Sequence, residues 1–152
     1  MAEALAAFGL ASNIIQFVDF GMKLLSSSRE LYQSAEGTLK RNSELREITS
    51  NIKLVARKIA NDTIRIDEAA LREIAGICGE LADELLAMLD VLKVDGQKNR
   101  HAEAFRKSLR SIRSRHKVKD IYDRLCKVRD QICFHLNCLL KYVSPQHLRV
   151  LL

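Results

Sequence analysis

Cys133 and His135, with Cys126 and Cys138 close by, are the side chains best suited by type to hold a metal ion or to act as nucleophile and base. Their spacing argues against both. Residues two apart on a helix point about 200° away from each other, so Cys133 and His135 share no local ligation. Cys126 and Cys133 share a face, but about 10 Å of helical rise separates them, too far for two ligands of one ion without a third element. His101, His116 and His147 are dispersed, and the cysteines, Cys78 included, read as small core fillers. No GxxxxGK[ST] loop occurs to cradle a phosphate, and the six glycines are scattered. Asp83 and Glu84 fall on the solvated side of a predicted helix with no base beside them. The expectation is a chain that is not an enzyme and takes no cofactor and no metal.

Two other features could carry function. Between Glu3 and Asp19 lie fifteen uncharged residues, many of them small. As a helix they span about 22 Å, short of the roughly 30 Å hydrocarbon core, and Ser12, Asn13 and Gln16 interrupt them, so a constitutive transmembrane helix is not expected. One reading is an ordinary core helix with alanines at close contacts. The other is a helix stored in a bundle which, once freed, enters a membrane or packs against its own copies, with Ala4, Leu5, Ala7, Phe8, Gly9, Ala11, Ile15 and Val18 as the residues at stake.

The second feature is a basic run from Lys98 to Lys119. Residues 96–152 hold fourteen basic and four acidic side chains, a balance of +10, whereas residues 64–95 hold three and eight, a balance of −5, and residues 38–63 six and three, a balance of +3. Arg106, Arg110, Arg113 and Lys117 follow a three-and-four rhythm and line one helix face, with Lys107 beside them. Such a face is either simply solvated or a docking patch for anionic lipid or an acidic partner, each charge near an anionic leaflet contributing about 1 kcal/mol. Nucleic acid is disfavoured as a partner, because aromatics for stacking are few and no recognition-helix motif is visible.

Apolar residues recur at steps of three and four almost throughout, which places these features on helices. The first is predicted over Glu3 to Ala35, with Leu10, Ile14, Phe17, Gly21, Leu24, Leu31 and Ala35 on one face and Gly37 as its stop. The second covers Asn42 to Ala60 on Leu45, Ile48, Ile52, Val55 and Ile59, capped by Asn42 or Ser43 and closed by Asn61 and Asp62. The third covers Asp67 to Val94 on Leu71, Ile74, Cys78, Leu81, Leu85, Met88 and Leu92, stopping at Asp95-Gly96. A shorter fourth covers Asn99 to Arg115, with Ala102, Phe105, Leu109 and Ile112 inward. After a kink or turn over Ser114 to Lys117, or with no break there, since that stretch has no glycine or proline, the fifth covers Val118 to Val143 on Val118, Ile121, Leu125, Val128, Ile132, Leu136 and Leu139, with Ser144-Pro145 ending it. The expected fold is all-α: an up-and-down antiparallel bundle of four long helices plus a shorter one, over residues 1–143, with 144–152 as a tail or the start of a linker.

The 152 residues suit one domain, and a single proline with 5% aromatics favours helix over sheet. Glu3 stands where a secretory signal wants positive charge, so a cytoplasmic protein with reduced thiols is expected.

The opening AEALAAFGLASNIIQFVDFGMKLLS at 2–26, RELYQSAEG at 29–37, CGELADELL at 78–86, FRKSLRSIRS at 105–114 and VKDIYDRL at 118–125 together resemble the amino-terminal domain, SesA or HeLo-like, that precedes NACHT-type NTPase modules in fungal NLR-like (STAND) proteins. Where an aromatic residue is common in that family, Arg113 stands. The resemblance implies a helical bundle held quiet until an attached NACHT or NB-ARC module oligomerises it, after which the Ala4–Val18 helix attacks a membrane in a cell-death or innate-immune response. Its implied partners are its own copies, that downstream module and anionic lipids, with recruitment to the plasma membrane on activation. A homotypic adaptor or regulatory scaffold without a membrane step fits the same resemblance.

Overall fold

The computed structural model describes residues 2–33, 39–94 and 112–150, with side chains described over 2–26, 46–88 and 116–141. These residues wind into four helices, α1 (Ala2–Gln33), α2 (Leu39–Thr63), α3 (Ala69–Val94) and α4 (Ile112–Val150), and no strand occurs among them.

The apolar seams legible in the sequence are the ones that pack. Leu10, Ile14, Phe17 and Leu24 of α1 are buried, with Gly21 in line with them. They meet Ile52, Val55 and Ile59 of α2, Leu71, Ile74, Cys78, Leu81 and Leu85 of α3, and Ile121, Leu125, Val128 and Ile132 of α4 in one continuous core. Ile48, Met88, Val118, Leu136 and Leu139 are partly buried at its margins. Ala7, Ala11, Val18 and Leu25 widen the α1 stripe, and α1 packs against all three other helices. Arg124 of α4 reaches Glu84 of α3 while His135 of α4 reaches Glu68, just before α3 begins, so the two helices run antiparallel.

The α2–α3 connection is fixed by its own chemistry. Thr63 Oγ1 donates to the Ile59 carbonyl at 2.6 Å, and the N–H groups of Arg65 and Ile66 donate to the Asp62 and Thr63 carbonyls, so the last turn of α2 unwinds with its acceptors satisfied. Ile66 then turns inward to 5% exposure, where it plugs the end of the core. Arg72 holds the turn in place, its Nε donating to the Ile66 carbonyl at 2.5 Å and its guanidinium lying 3.7 Å from Asp67.

Several helix ends differ from expectation. α2 begins at Leu39 and ends at Thr63, so Asn42 and Ser43 lie inside it rather than capping it, and Asn61 and Asp62 are helical; Leu39, Lys40 and Arg41 are strong helix formers that carry the winding one turn earlier. α4 passes through Ser114 to Lys117 without a turn, because no glycine or proline there offers an alternative to helix. It also passes through Ser144-Pro145 to Val150. A proline removes one N–H donor and crowds one carbonyl, which in a 39-residue helix is a local loss that the turns on either side outlast. Gly37, Gly96 and most of the expected shorter helix, Asn99 to Ser111, lie outside the described residues; its last positions, Ile112 to Arg115, are the first turn of α4.

Candidate functional site

The candidate site begins with α1, 32 residues or about 48 Å long. Ala7, Ala11 and Val18 are buried; Ala4, Phe8 and Ile15 are half-buried; Gly9 is exposed and Leu5 is 70% exposed. The small residues therefore do not share one face, since Ala7 and Ala11 turn to the core and Gly9 to solvent. Along the outer side run Leu5, Gly9, Ser12 and Gln16, all exposed and all uncharged, until Asp19 and Lys23. From Ala4 to Val18, α1 thus carries no charge on either face.

Magnitudes decide what such a helix can do. Leu10, Ile14, Phe17, Val18 and Leu24 are each at most 1% exposed. At roughly 1.5–3 kcal/mol per side chain, uncovering the five would cost about 7–15 kcal/mol, which matches the whole stability of a typical domain, about 5–15 kcal/mol. Departure of α1 into water is therefore equivalent to unfolding. It is feasible only where the apolar stripe is reburied at once, in lipid or against other copies.

The stretch Ala2–Ser26 is long and apolar enough, by length and composition alone, to cross a membrane. The stretch is longer than Ala4–Val18 because Phe20, Gly21, Met22, Leu24 and Leu25 continue the apolar run past Asp19. A core helix or a signal sequence passes the same test, and Ala7, Leu10, Ala11, Ile14, Phe17, Val18, Leu24 and Leu25 of this stretch are buried within the bundle.

One polar tie holds this half of α1. Asn13, half-buried, donates from Nδ2 to Asp62 Oδ2 at 2.7 Å, joining α1 to the last turn of α2. The sequence shows only a polar residue interrupting an apolar run, and nothing local names its partner 49 positions away. Further along, Gly21 marks a close approach of α1 to the bundle, packed under Leu125 and Leu85.

Of the anticipated basic patch, Arg106, Lys107 and Arg110 lie outside the described residues. Arg113 belongs to the first turn of α4 with its side chain outside them, and Lys117 is exposed. A second cationic face is fully described. Arg46, Lys53, Arg57 and Lys58 are all exposed on the outward side of α2, with Leu54 among them at 53% exposure. Its signal in the sequence was the local balance of +3 together with the three-and-four spacing of Arg46, Ser50, Lys53 and Arg57, three of them cationic.

Across the molecule, α3 and α4 border an open groove of about 350 Å³, small for a ligand cleft. Ile74, Ile77 and Ala70 of α3 and Phe134 of α4 line it, with Glu73, Asp130, Gln131 and His135 among its polar residues. Phe134 is 67% exposed and meets the His135 ring edge-on at 6.1 Å between centroids. His135 Nδ1 lies 3.3 Å from Glu68. His135 and Cys138, three apart on α4, have a spacing that suits shared ligation, yet among the described residues no group of three or more His, Cys, Asp or Glu side chains is placed to hold a metal ion.

Beside the groove Arg124 gathers three carboxylates, Glu84 at 2.6 Å and Glu80 and Asp120 at 3.6 Å. The hydrogen bond to Glu84 leads the interactions that hold its guanidinium pKa above the ordinary value. Asp83 and Glu80 are exposed and Glu84 half-buried, so the acidic pair singled out in the sequence is divided, Glu84 fastening α3 to α4 and Asp83 facing water.

No family model, curated protein or solved structure matches this chain. Its function is argued from the geometry above.

Proposed function

We propose that this chain is a non-enzymatic signalling and effector bundle of the SesA or HeLo-like kind, built as an up-and-down antiparallel bundle of four long helices with a shorter helix before α4. Its output is membrane targeting triggered by oligomerisation, in a cytoplasmic protein recruited to the plasma membrane on activation. The observation that carries this reading is the dual character of α1: buried well enough to be stable in water, and free of charge on every face from Ala4 to Val18. A helix meant only for the core has no need of an uncharged outer side, whereas one that transfers to lipid must desolvate that side as well, at about 2.5–3.5 kcal/mol for each charged residue at the bilayer centre.

Leakage of dye from vesicles tests it, with anionic vesicles beside neutral ones and the chain multimerised through a fused tag. The parent should release dye. Leu5→Glu, at an exposed position where folding is indifferent to charge, should keep the helical circular dichroism and lose leakage. A folded Leu5→Glu variant as active as the parent would overturn the proposal.

A homotypic adaptor without a membrane step is the second reading. It is favoured by the coexistence, on different sides of the bundle, of the cationic α2 face and the acidic-rimmed α3–α4 groove.

A further inference from the structure

We infer that copies of this chain join head to tail, the outward face of α2 on one copy seating in the α3–α4 groove of the next. The inference deepens the self-association in the proposed function and rests on that part of it, not on the membrane step.

The two surfaces are complementary in polarity and charge. On α2 an apolar side chain, Leu54, stands exposed among Lys53, Arg57 and Lys58. None of the three cations makes an ion pair among the described residues. In the groove the arrangement is inverted: an apolar lining of Ile74, Ile77 and Phe134 is accompanied by the carboxylates of Glu73 and Asp130. Glu73 makes no ion pair among the described residues. Asp130 has Arg129 at 3.6 Å, both largely open to water, a contact that solvent screens. Phe134, exposed in a water-facing groove, is the type of side chain that anchors protein contacts.

The charges also select the occupant. An anionic leaflet would accept the α2 face but repel Glu73 and Asp130, leaving the groove open. A cationic partner would fill the groove and leave α2 bare. A second copy satisfies both surfaces at once. Because the joined patches are different, the contact is heterologous: every open assembly keeps one free surface of each kind, and addition continues until a ring closes or a filament grows.

Sedimentation velocity of the full chain over a concentration series is the test. The parent should associate. Arg57→Glu with Lys58→Glu, and separately Glu73→Lys with Asp130→Lys, should each weaken association by about tenfold or more, the scale that like-charge juxtaposition imposes. An equimolar mixture of the two variants should associate again, since each junction then pairs either two parental or two reversed surfaces. Leu54→Ala, which changes no charge, should weaken association as well, and circular dichroism matching the parent's confirms that each variant is folded. A parent that stays monomeric, reversed variants that associate as it does, or a folded mixture that stays apart would overturn the contact. Assembly without vesicle leakage would sink the membrane reading and leave the contact standing; leakage by a parent that does not assemble would do the reverse.

Discussion

Gly21 of α1 lies so close to Leu125 of α4 that a methyl group on Gly21 would sit 3.0 Å from Leu125 Cδ1, with Leu85 Cδ1 of α3 at 3.3 Å. Three helices converge at one residue without a side chain, and both leucines are fully buried. Gly21→Ala gains about 1 kcal/mol of helix propensity but must displace two packed leucines, at about 1–3 kcal/mol. Its net effect should be a loss of about 1 kcal/mol in urea denaturation. Gly9→Ala and Gly76→Ala, where nothing lies within 4 Å of the added carbon, should instead stabilise. If Gly21→Ala were as stabilising as these two, the close approach would not constrain the bundle.

The bond from Asn13 to Asp62 should be measurable in the same way. Asn13→Ala removes a part-buried hydrogen bond, expected to cost about 1 kcal/mol. Asn13→Asp sets two carboxylates face to face at the C-terminal end of α2, where the helix dipole already disfavours negative charge. It should lower the melting temperature further, and added salt should recover part of that loss. A melting temperature equal to that of Asn13→Ala at both salt levels would contradict the geometry.

Arg124 stitches α3 to α4 with a side chain only 28% exposed. Arg124→Met keeps most of the apolar stem and should destabilise by about 1 kcal/mol, discounted for the solvent that reaches the site. A double-mutant cycle with Glu84→Gln should return most of that as coupling. Additive effects would mean the pair does not act as a tie.

Burial pushes the Cys78 thiol up from 9.0 to about 12. Below about pH 9 the thiol is protonated in both folded and unfolded chains. Between about 9 and 12 only the unfolded chain releases the proton, so this group lowers stability as pH rises. Cys78→Ala should flatten the decline in stability over that window relative to the parent. In a maleimide time course at neutral pH, exposed Cys133 should react first and Cys78 only on unfolding.

The sequence specified the seams because burial follows a three-and-four rhythm that local inspection can count, and every described residue of those seams is buried or partly so. Other determinants were not local. Pro145 signals an end to helix, yet α4 continues, because one missing donor does not outweigh the winding around it. Ile66 reads as a loop residue, and only the turn of the chain makes it a plug. For the candidate site, the uncharged span of α1 was plain, whereas its link to Asp62 and the pairing of Leu54 with four cations depend on which side of a helix finds no neighbour. The groove joins residues about sixty positions apart and has no local signature at all.

No ionisable side chain lies between Ala4 and Val18. Movement of that span from protein to lipid therefore takes up no proton at its own side chains, and the charges that flank it, Glu3, Asp19 and Lys23, are the ones that feel electrolyte. The cations of α2, Lys117 and the Arg124 cluster respond to electrolyte. Raising ionic strength should slow arrival and assembly more than insertion, so the two stages separate on a salt titration.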